Sequence, residues 1–449
     1  MSAAYPDFSS KSAALYERAR RVMPGGSTRV QTFFNPYPVF AAHAEGCRVI
    51  DVDGAARIDF VNNYTVQIHG HSHPKIVEAV KKQAEQAMCF TLPTETEIEL
   101  AEIFCERTAS IERVRFANSG TEAVMNAIKA ARAHTGRPKI AKCEGVYHGS
   151  YDYAEASLDP DPQNWGARDP AAVGYARSAP AGMLADVVVI PFNDVDASRR
   201  ILEANADRLA GLLVDLVPTR CGGGPASPEY RAMLREVTRR HGIVLICDEV
   251  VTYRLDYGGA QALYGFDPDL TTLGKIIGGG MPIGAIAGKA EFMAVFDASQ
   301  GKPLCPHSGT FTANPVSMAA GIVAMRMFDR EAIERQNTLG AKTRAQLDEA
   351  FKVAGVTGHV TGEGSLFLPH LSDEPLGDYR KTYRAHSDAA GERAEALFRL
   401  LLNEGIYSSV LGLNCLSTPM GEAEIDRLSE AVLKCLRIIK DEAPARAVS

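Results

Sequence analysis

Asp248 and Lys275 are the residues of this chain best suited to covalent chemistry. Asp248 follows a strongly apolar run at 243–247, and a carboxylate in such surroundings is costly unless it meets a cation or a protonated ring. Lys275 stands between Gly274 and an apolar pair at 276–277, and an amine in an apolar setting can act as a neutral nucleophile. Together they favour an aldehyde cofactor held as a Schiff base on Lys275, with its ring nitrogen kept protonated by Asp248. That is the chemistry of pyridoxal 5′-phosphate (PLP), whose ring withdraws electrons.

A phosphate site is the second candidate. Ser119, Gly120 and Thr121 lie between a predicted strand and a predicted helix that ends at Gly136. Free backbone N–H groups at a helix start, with hydroxyls beside them, suit a phosphate. Serine and threonine are also ordinary helix caps, so these residues by themselves leave both interpretations open. In a chain with a Schiff-base lysine they become the expected phosphate site of PLP.

The candidate residues fall in a stretch of alternating strands and helices. Seven short, β-branched runs are separated by helical segments, at 114–116, 139–143, 187–190, 212–217, 243–247, 270–273 and 283–287. This alternation predicts an α/β domain around a mostly parallel, seven-stranded sheet. Ligands of such sheets bind beyond the carboxyl ends of the strands, where Asp248 and Lys275 are expected.

We predict three parts in the chain. An N-terminal segment, 1–61, contains a hairpin signal at Asp53-Gly54 and is expected to pack with a small domain. A large PLP-binding domain spans 62–325. The C-terminal part, 326–449, has helical segments flanking β-like pieces and reads as a smaller α+β domain.

Composition argues against several classes of protein. The 449 residues are 46% hydrophobic and 23% charged, which is ordinary for a soluble globular protein. A net charge of -7 gives no sign of the basic surface that nucleic-acid binding needs. No apolar run has the length of a membrane span or signal peptide. The nine dispersed cysteines include no C-x-x-C pair, so we expect reduced thiols in the cytoplasm. We expect no metal site.

The stretch from Asp248 to Gly288, with "DEVVTYRL" and "TLGKIIGGGMPIG", resembles the class III PLP-dependent aminotransferases. The likeness is strongest to the branch of glutamate-1-semialdehyde aminomutases and β-amino-acid aminotransferases, and it covers nearly the whole chain. It implies PLP fold type I, with a large and a small domain. It also implies that Ser119, Gly120 and Thr121 bind the cofactor phosphate.

The resemblance gives roles to residues whose type alone is uninformative. Tyr147 matches the residue that stacks on the pyridine ring, and Val250 matches the one that packs on its other face. Thr310 matches a threonine that reaches the phosphate of a neighbouring subunit, which implies a homodimer with shared active sites. Asp215 matches a glutamate usually followed by proline. Because Leu216 follows here, Asp215 either supports the cofactor's edge or is structural.

Substrate recognition is predicted from two residues. Arg29 matches a position where β-amino-acid aminotransferases of this branch hold a substrate carboxylate, a contact that suits a guanidinium fork. As a lone loop arginine it is also typical of a solvated surface. Tyr64 is expected to form a pocket wall, while His148 and Gly149 are expected only to shape the turn after Tyr147.

We therefore expect a transaminase that moves an amino group from a β- or ω-amino acid, or a related amine, to an oxo acid. The alternative is an aminomutase, which returns the amino group to another carbon of the same molecule and uses the same cofactor residues. A dinucleotide-binding protein is disfavoured, because "GKIIGGG" at 274–280 lacks the G-x-G-x-x-G spacing after a strand.

Overall fold

A computed structural model describes residues 5–374, 376–409 and 412–446 of the chain. Its strands, β1 to β14 in chain order, are Ala41–Glu45, Arg48–Asp51, Ala56–Asp59, Arg113–Ala117, Lys139–Cys143, Val187–Ile190, Leu209–Val214, Val244–Asp248, Leu270–Gly274, Gly284–Gly288, His359–Thr361, Leu366–His370, Ile406–Tyr407 and Asn414–Cys415.

The α-helical segments, α1 to α16, are Lys11–Arg20, Asn62–Thr65, Pro74–Gln86, Glu95–Arg107, Gly120–Thr135, Asp152–Glu155, Ala181–Ala185, Val195–Asn205, Pro228–His241, Gly259–Leu263, Ala290–Met293, Pro315–Met327, Arg330–Ala354, Tyr379–Ala385, Asp388–Asn403 and Glu422–Arg446. Short 3₁₀ turns lie at Pro24–Gly26, Val30–Thr32, Ala206–Arg208, Thr219–Cys221, Thr252–Arg254, Lys275–Gly278 and Ala294–Phe296.

The seven strands predicted for the large domain form one sheet, in the order β4-β10-β9-β8-β7-β5-β6. All pairings from β9 to β6 are parallel, and β10 is antiparallel to both of its neighbours. The mostly parallel α/β sheet is therefore confirmed. Four other strands differ from the predicted bounds by one residue at one or both ends, and the largest error is in β7, which covers Leu209–Val214 rather than 212–217. Asp215 therefore follows the strand instead of lying inside it.

Helix α5 shows why the sequence folds this way. Ser119 caps its start by accepting from the Glu122 amide, and Gly136 ends it with a left-handed φ of 70°. Its buried face is rich in alanine, which lets the helix lie close to the sheet. A Cβ atom added to Gly211 in β7 would come within 3.0 Å of the Ala131 Cβ. The small side chains thus allow α5 to pack closely against β7.

The chain divides into two compact units. The central unit comprises the described residues of Lys75–Arg335 and Pro375–Thr382, and it contains the seven-stranded sheet. The terminal unit comprises the described residues of Met1–Pro74, Gln336–Glu374 and Tyr383–Ser449. It holds a four-stranded sheet, β1-β2-β3-β13, and a three-stranded one, β11-β12-β14.

The terminal unit has its own apolar core, built mainly from one face of α13, α15 and α16. Fully or nearly buried residues in it include Phe60, Phe351, Phe367, Leu401 and Leu436. The N-terminal strands join this unit because β13 pairs in parallel with β3, Ile406 opposite Ile58. Within the described ranges, no helix is both long and apolar enough to cross a membrane.

Candidate active site

Asp248 is the last residue of β8, and its side chain is buried, with 6% exposure. Its Oδ1 accepts from the Val250 amide at 3.0 Å and from the Thr272 hydroxyl at 2.9 Å. Its Oδ2 lies 2.7 Å from His148 Nδ1. A carboxylate can accept about four hydrogen bonds, so one place on Oδ2 is left for a further donor. The protonated ring nitrogen of PLP is a donor that fits this place.

His148 is a further candidate functional residue, beyond the turn-shaping role that we expected for it from the sequence. Its ring is buried, and its Nε2 has no hydrogen-bond partner among the residues that the structure describes. Burial lowers the pKa of His148, and the neighbouring Asp248 opposes that shift. A neutral imidazole with its proton on Nδ1 donates to Asp248 and leaves Nε2 as an acceptor. The available signal was its place after a strand, β5.

Asp215 directly follows β7, and its Oδ1 accepts from the Val217 amide at 2.9 Å. Burial, and after it the charge of Asp248, raises the pKa of Asp215 to about 8, while Lys275 opposes the rise. At neutral pH the carboxyl therefore carries a proton and can donate a hydrogen bond, which an ionised carboxylate cannot do. This makes Asp215 chemically different from Asp248, although both follow the same edge of the sheet.

Lys275 begins a 3₁₀ turn directly after β9, and its side chain is partly buried. Its φ of 53° lies in the left-handed region, which costs a non-glycine residue roughly 1–3 kcal/mol. Asp248 is the ladder partner of Thr272, so Asp248 and Lys275 leave neighbouring strands at the same edge. Backbone strain of this kind clusters at functional sites, where the surrounding structure fixes the direction of a side chain.

Val250 packs against two glycines that flank the site. A Cβ atom added to Gly120 would lie 3.1 Å from both γ-carbons of Val250, and one added to Gly274 would lie 3.3 Å from Cγ1. Val250 is thus held between the start of α5 and the residue before Lys275. This places an apolar surface between the candidate phosphate site and the lysine, as a flat cofactor ring requires.

The start of α5 fits a phosphate. The amides of Gly120 and Thr121 belong to the first turn, where backbone N–H groups lack intrahelical acceptors. Thr121 Oγ1 accepts from the Ser150 amide at 3.1 Å, which ties the helix start to the loop after β5. Gly149 makes this approach possible, because a Cβ there would lie 2.5 Å from Thr121 Oγ1.

The two remaining candidates of the central unit are exposed. The Tyr147 side chain is 47% exposed beside the buried His148, so its ring is available for stacking. Thr310 lies in an exposed loop. A Cβ atom added to its neighbour Gly309 would lie 3.6 Å from Asn118 Nδ2, just before Ser119 in the same chain.

Arg29 and Tyr64 belong to the terminal unit, where they contact each other. The Arg29 guanidinium carbon lies 5.3 Å from the centre of the Tyr64 ring, and Arg29 Nη1 donates to Asn63 Oδ1 at 2.7 Å. The Tyr64 hydroxyl donates to the Gln31 carbonyl at 2.7 Å. Across the described residues of both units, no cluster of three or more His, Cys, Asp or Glu side chains is arranged to hold a metal ion.

Comparison with known proteins agrees with this geometry. The sequence model of the family described as Aminotransferase class-III matches residues 31–418. The chain is 36% identical over 434 residues to a glutamate-1-semialdehyde 2,1-aminomutase from Methanothermobacter thermautotrophicus, covering 96% of this chain and 100% of that protein.

Two solved structures are similar over almost the full length. An omega-transaminase from Sphaerobacter thermophilus is 48% identical with a TM-score of 0.93, covering 97% of this chain and 99% of that one. A β-phenylalanine aminotransferase from Variovorax paradoxus is 36% identical with a TM-score of 0.84, covering 94% and 93%.

Proposed function

This chain belongs to the class III aminotransferases, and we propose that it moves an amino group from a β- or ω-amino acid to an oxo acid, using Lys275. It is an enzyme of that class, and the cofactor of the class is PLP. The observation that carries the proposal is the pairing of Asp248, buried with one acceptor place left, with Lys275 on a strained backbone at the same sheet edge.

Bound PLP supplies an aldehyde that reacts with amines and a ring that accepts electrons. Lys275 Nζ would be the amine that holds the cofactor, and it would serve as the general base that moves the proton at the substrate carbon. Asp248 Oδ2 keeps the proton on the ring nitrogen. His148 donates to the same oxygen and so orients the carboxylate.

The other predicted site residues bind and orient the cofactor. Ser119 and the amides of Gly120 and Thr121 bind the phosphate. Tyr147 and Val250 would contact opposite faces of the ring. The proton on Asp215 allows it to donate to an acceptor on the cofactor's edge, which favours the first of the two roles expected for it.

The substrate class rests on the relatives and on Arg29. The similar solved proteins are named an omega-transaminase and a β-phenylalanine aminotransferase. Both kinds of amino donor carry a carboxylate away from the reacting carbon, and the exposed guanidinium of Arg29 suits such a group. We propose that Arg29 binds this carboxylate and that Tyr64 lines the substrate pocket.

A glutamate-1-semialdehyde-type 2,1-aminomutase is the second candidate, because curated relatives 36% identical over most of the chain carry that name. The cofactor residues described above serve either reaction. The two differ in the need for an external oxo acid, since a mutase completes its cycle on one molecule.

The deciding experiment combines spectra with turnover. Purified protein supplied with PLP is expected to show an imine band that borohydride fixes and that Lys275→Ala abolishes. Lys289→Ala, a partly exposed lysine that follows β10 and pairs with Asp267, should keep the band. Sustained conversion of β-phenylalanine only when an oxo acid is added supports the transaminase. Turnover of glutamate-1-semialdehyde without any oxo acid would support the mutase instead.

We propose that the enzyme is a homodimer in which Thr310 reaches the phosphate of the partner's site. Five exposed large apolar side chains, which we call the exposed apolar face, support this: Met88, Phe90, Leu92, Ile98 and Phe311. The segments are joined, because Asn314 Nδ2 donates to the Met88 carbonyl at 3.0 Å. Exposed clusters of large apolar side chains commonly mark interfaces. None of the nine cysteines, all of them described, forms a disulfide, which supports the prediction of a reducing, cytoplasmic compartment.

A further inference from the structure

Four consecutive residues without a single glycine form a left-handed turn. Asn62, Asn63, Tyr64 and Thr65 have φ values of 49°, 52°, 54° and 76°. For L-amino acids this conformation costs roughly 1–2 kcal/mol per residue, and only asparagine among these types adopts it readily. The segment, which we call the left-handed turn, therefore needs strong support from its surroundings.

The buried half of the turn receives that support. Asp59 Oδ1 accepts from the amides of Val61 and Asn62, both at 2.9 Å, and Asp59 Oδ2 lies 2.8 Å from His71 Nε2. The Asn62 side chain is fully buried and donates to the Cys415 carbonyl at 2.9 Å. These contacts fix the backbone in a conformation that it would not adopt alone.

The other half of the turn holds Arg29. Asn63 is exposed, and its Oδ1 accepts from Arg29 Nη1 at 2.7 Å. The guanidinium carbon lies 5.3 Å from the Tyr64 ring centre, within the range of a cation–π contact. The Tyr64 hydroxyl is in turn fixed by the Gln31 carbonyl. Two neighbouring left-handed residues thus restrain one arginine from two sides.

Arg29 has further guanidinium N–H donors beyond the one that contacts Asn63. Its side chain is exposed, and across the described chain its Nε and Nη2 groups have no hydrogen-bond acceptor. A guanidinium presents its donors in a planar fork that matches a carboxylate. An arginine held by a neutral amide and a ring keeps its positive charge uncompensated, whereas a partner aspartate would neutralise it.

We infer that the left-handed turn is a positioning element for substrate recognition: Asn63 and Tyr64 hold Arg29 so that its fork faces a substrate carboxylate. The inference rests on the proposed substrate class. It assigns Asn63 and Tyr64 as positioning residues, acting through Arg29. This role would explain the strained backbone, because a right-handed segment would point the Asn63 and Tyr64 side chains in other directions.

The test compares β-phenylalanine with 1-phenylethylamine, which lacks the carboxylate, on the PLP-loaded enzyme. Asn63→Gly removes the acceptor yet tolerates the left-handed backbone. It should raise KM for β-phenylalanine about tenfold, the size expected for one hydrogen bond to a charged group, without changing kcat. Both kinetic constants for the simple amine 1-phenylethylamine should stay as in the parent. The inhibition constant of 3-phenylpropionate, a carboxylate without an amine, should rise by the same factor as KM for β-phenylalanine.

Tyr64 supplies the second, independent arm. Tyr64→Leu loses the ring and should raise KM for β-phenylalanine severalfold. Tyr64→Phe keeps the ring and loses only the hydrogen bond to Gln31, so it should raise this KM less than Tyr64→Leu does. Ser178→Gly, at another exposed left-handed position in the other unit, controls for the glycine itself. Thermal melting of each variant checks folding.

Two failures are distinguishable. If the parent converts neither β-phenylalanine nor any other carboxylated amine, the proposed substrate class falls and the inference falls with it. If the parent is active but Asn63→Gly changes both substrates equally, or neither, the inference alone is overturned.

Discussion

At the scale of single residues, two aspartates at one sheet edge have different surroundings. Asp248 is buried and accepts from three donors. Asp215 accepts from one backbone amide and is partly buried, and desolvation, followed by the charge of Asp248, raises its pKa to about 8. Environment, rather than residue type, divides their roles.

Asp248→Asn is expected to retain PLP but to lower kcat at least about 100-fold, the typical loss when one group that stabilises developing charge is removed. The amide fills the same volume, yet it cannot keep the ring nitrogen protonated. Single-turnover spectra with β-phenylalanine measure the effect. Asp269→Asn, which alters another buried carboxylate between β8 and β9, should leave turnover close to normal. Near-normal turnover in Asp248→Asn would refute the assigned role.

Asp215 predicts a pH dependence of stability in the coenzyme-free protein. Folding raises the pKa of Asp215. Between about pH 4 and pH 8, the folded chain therefore keeps a proton on this carboxyl, whereas the unfolded chain has lost it. This contribution is fully present below the unfolded value and is lost as the pH rises to about 8. The difference between the melting temperatures of Asp215→Asn and the parent should therefore shift in favour of Asp215→Asn as the pH rises from 5 to 8.5. The exposed Asp207→Asn should show no such trend, and parallel curves for Asp215→Asn and the parent would contradict the assignment.

At the scale of elements, the site depends on how closely β10 approaches the start of α5. A Cβ atom added to Gly284 would lie 2.0 Å from the Ser119 carbonyl oxygen, a distance that no packing allows. Its backbone is outside the left-handed region, so the requirement for glycine here is one of space alone. The close packing of β10 against the start of α5 therefore requires glycine at position 284.

Gly284→Ala should push the start of α5 away and weaken PLP binding by about tenfold or more, with stability reduced by roughly 1–3 kcal/mol, as for other overpacked positions. Coenzyme titration and denaturant unfolding measure the two effects. Gly224→Ala, where an added Cβ meets nothing within 4 Å, is the matched control. Equal coenzyme affinity in both variants would show that β10 does not set the phosphate site.

At the scale of the whole molecule, the exposed apolar face of Met88, Phe90, Leu92, Ile98 and Phe311 predicts self-association. Phe311→Glu should shift the protein from dimer towards monomer in sedimentation velocity, since it buries a charge at the interface. Activity at low protein concentration should fall in step, because Thr310 would then be lost from the partner's site. Leu263→Glu, an exposed apolar position outside this face, should remain dimeric. A parent that sediments as a monomer at micromolar concentration would end this proposal.

The sequence by itself determined the chemistry and the order of the elements. Asp248 and Lys275 were predicted from their residue types and their sequence neighbours, an apolar run before Asp248 and glycines around Lys275. The seven predicted runs became the seven strands, because short runs rich in β-branched and apolar residues, separated by helical segments, favour a buried parallel sheet. The start of α5 was readable from its cap, and the likeness to a family fixed the cofactor.

Only the tertiary structure decided which groups meet. The contact of His148 with Asp248 joins the loop after β5 to the end of β8, about 100 residues apart along the chain, and no local pattern encodes it. The raised pKa of Asp215 arises from desolvation and from the charge of Asp248, which ends the neighbouring strand β8. The left-handed turn is likewise invisible in "NNYT", since its conformation is imposed by Asp59 and by a carbonyl more than 350 positions downstream. Local sequence specifies elements, while long-range contacts specify protonation and strain.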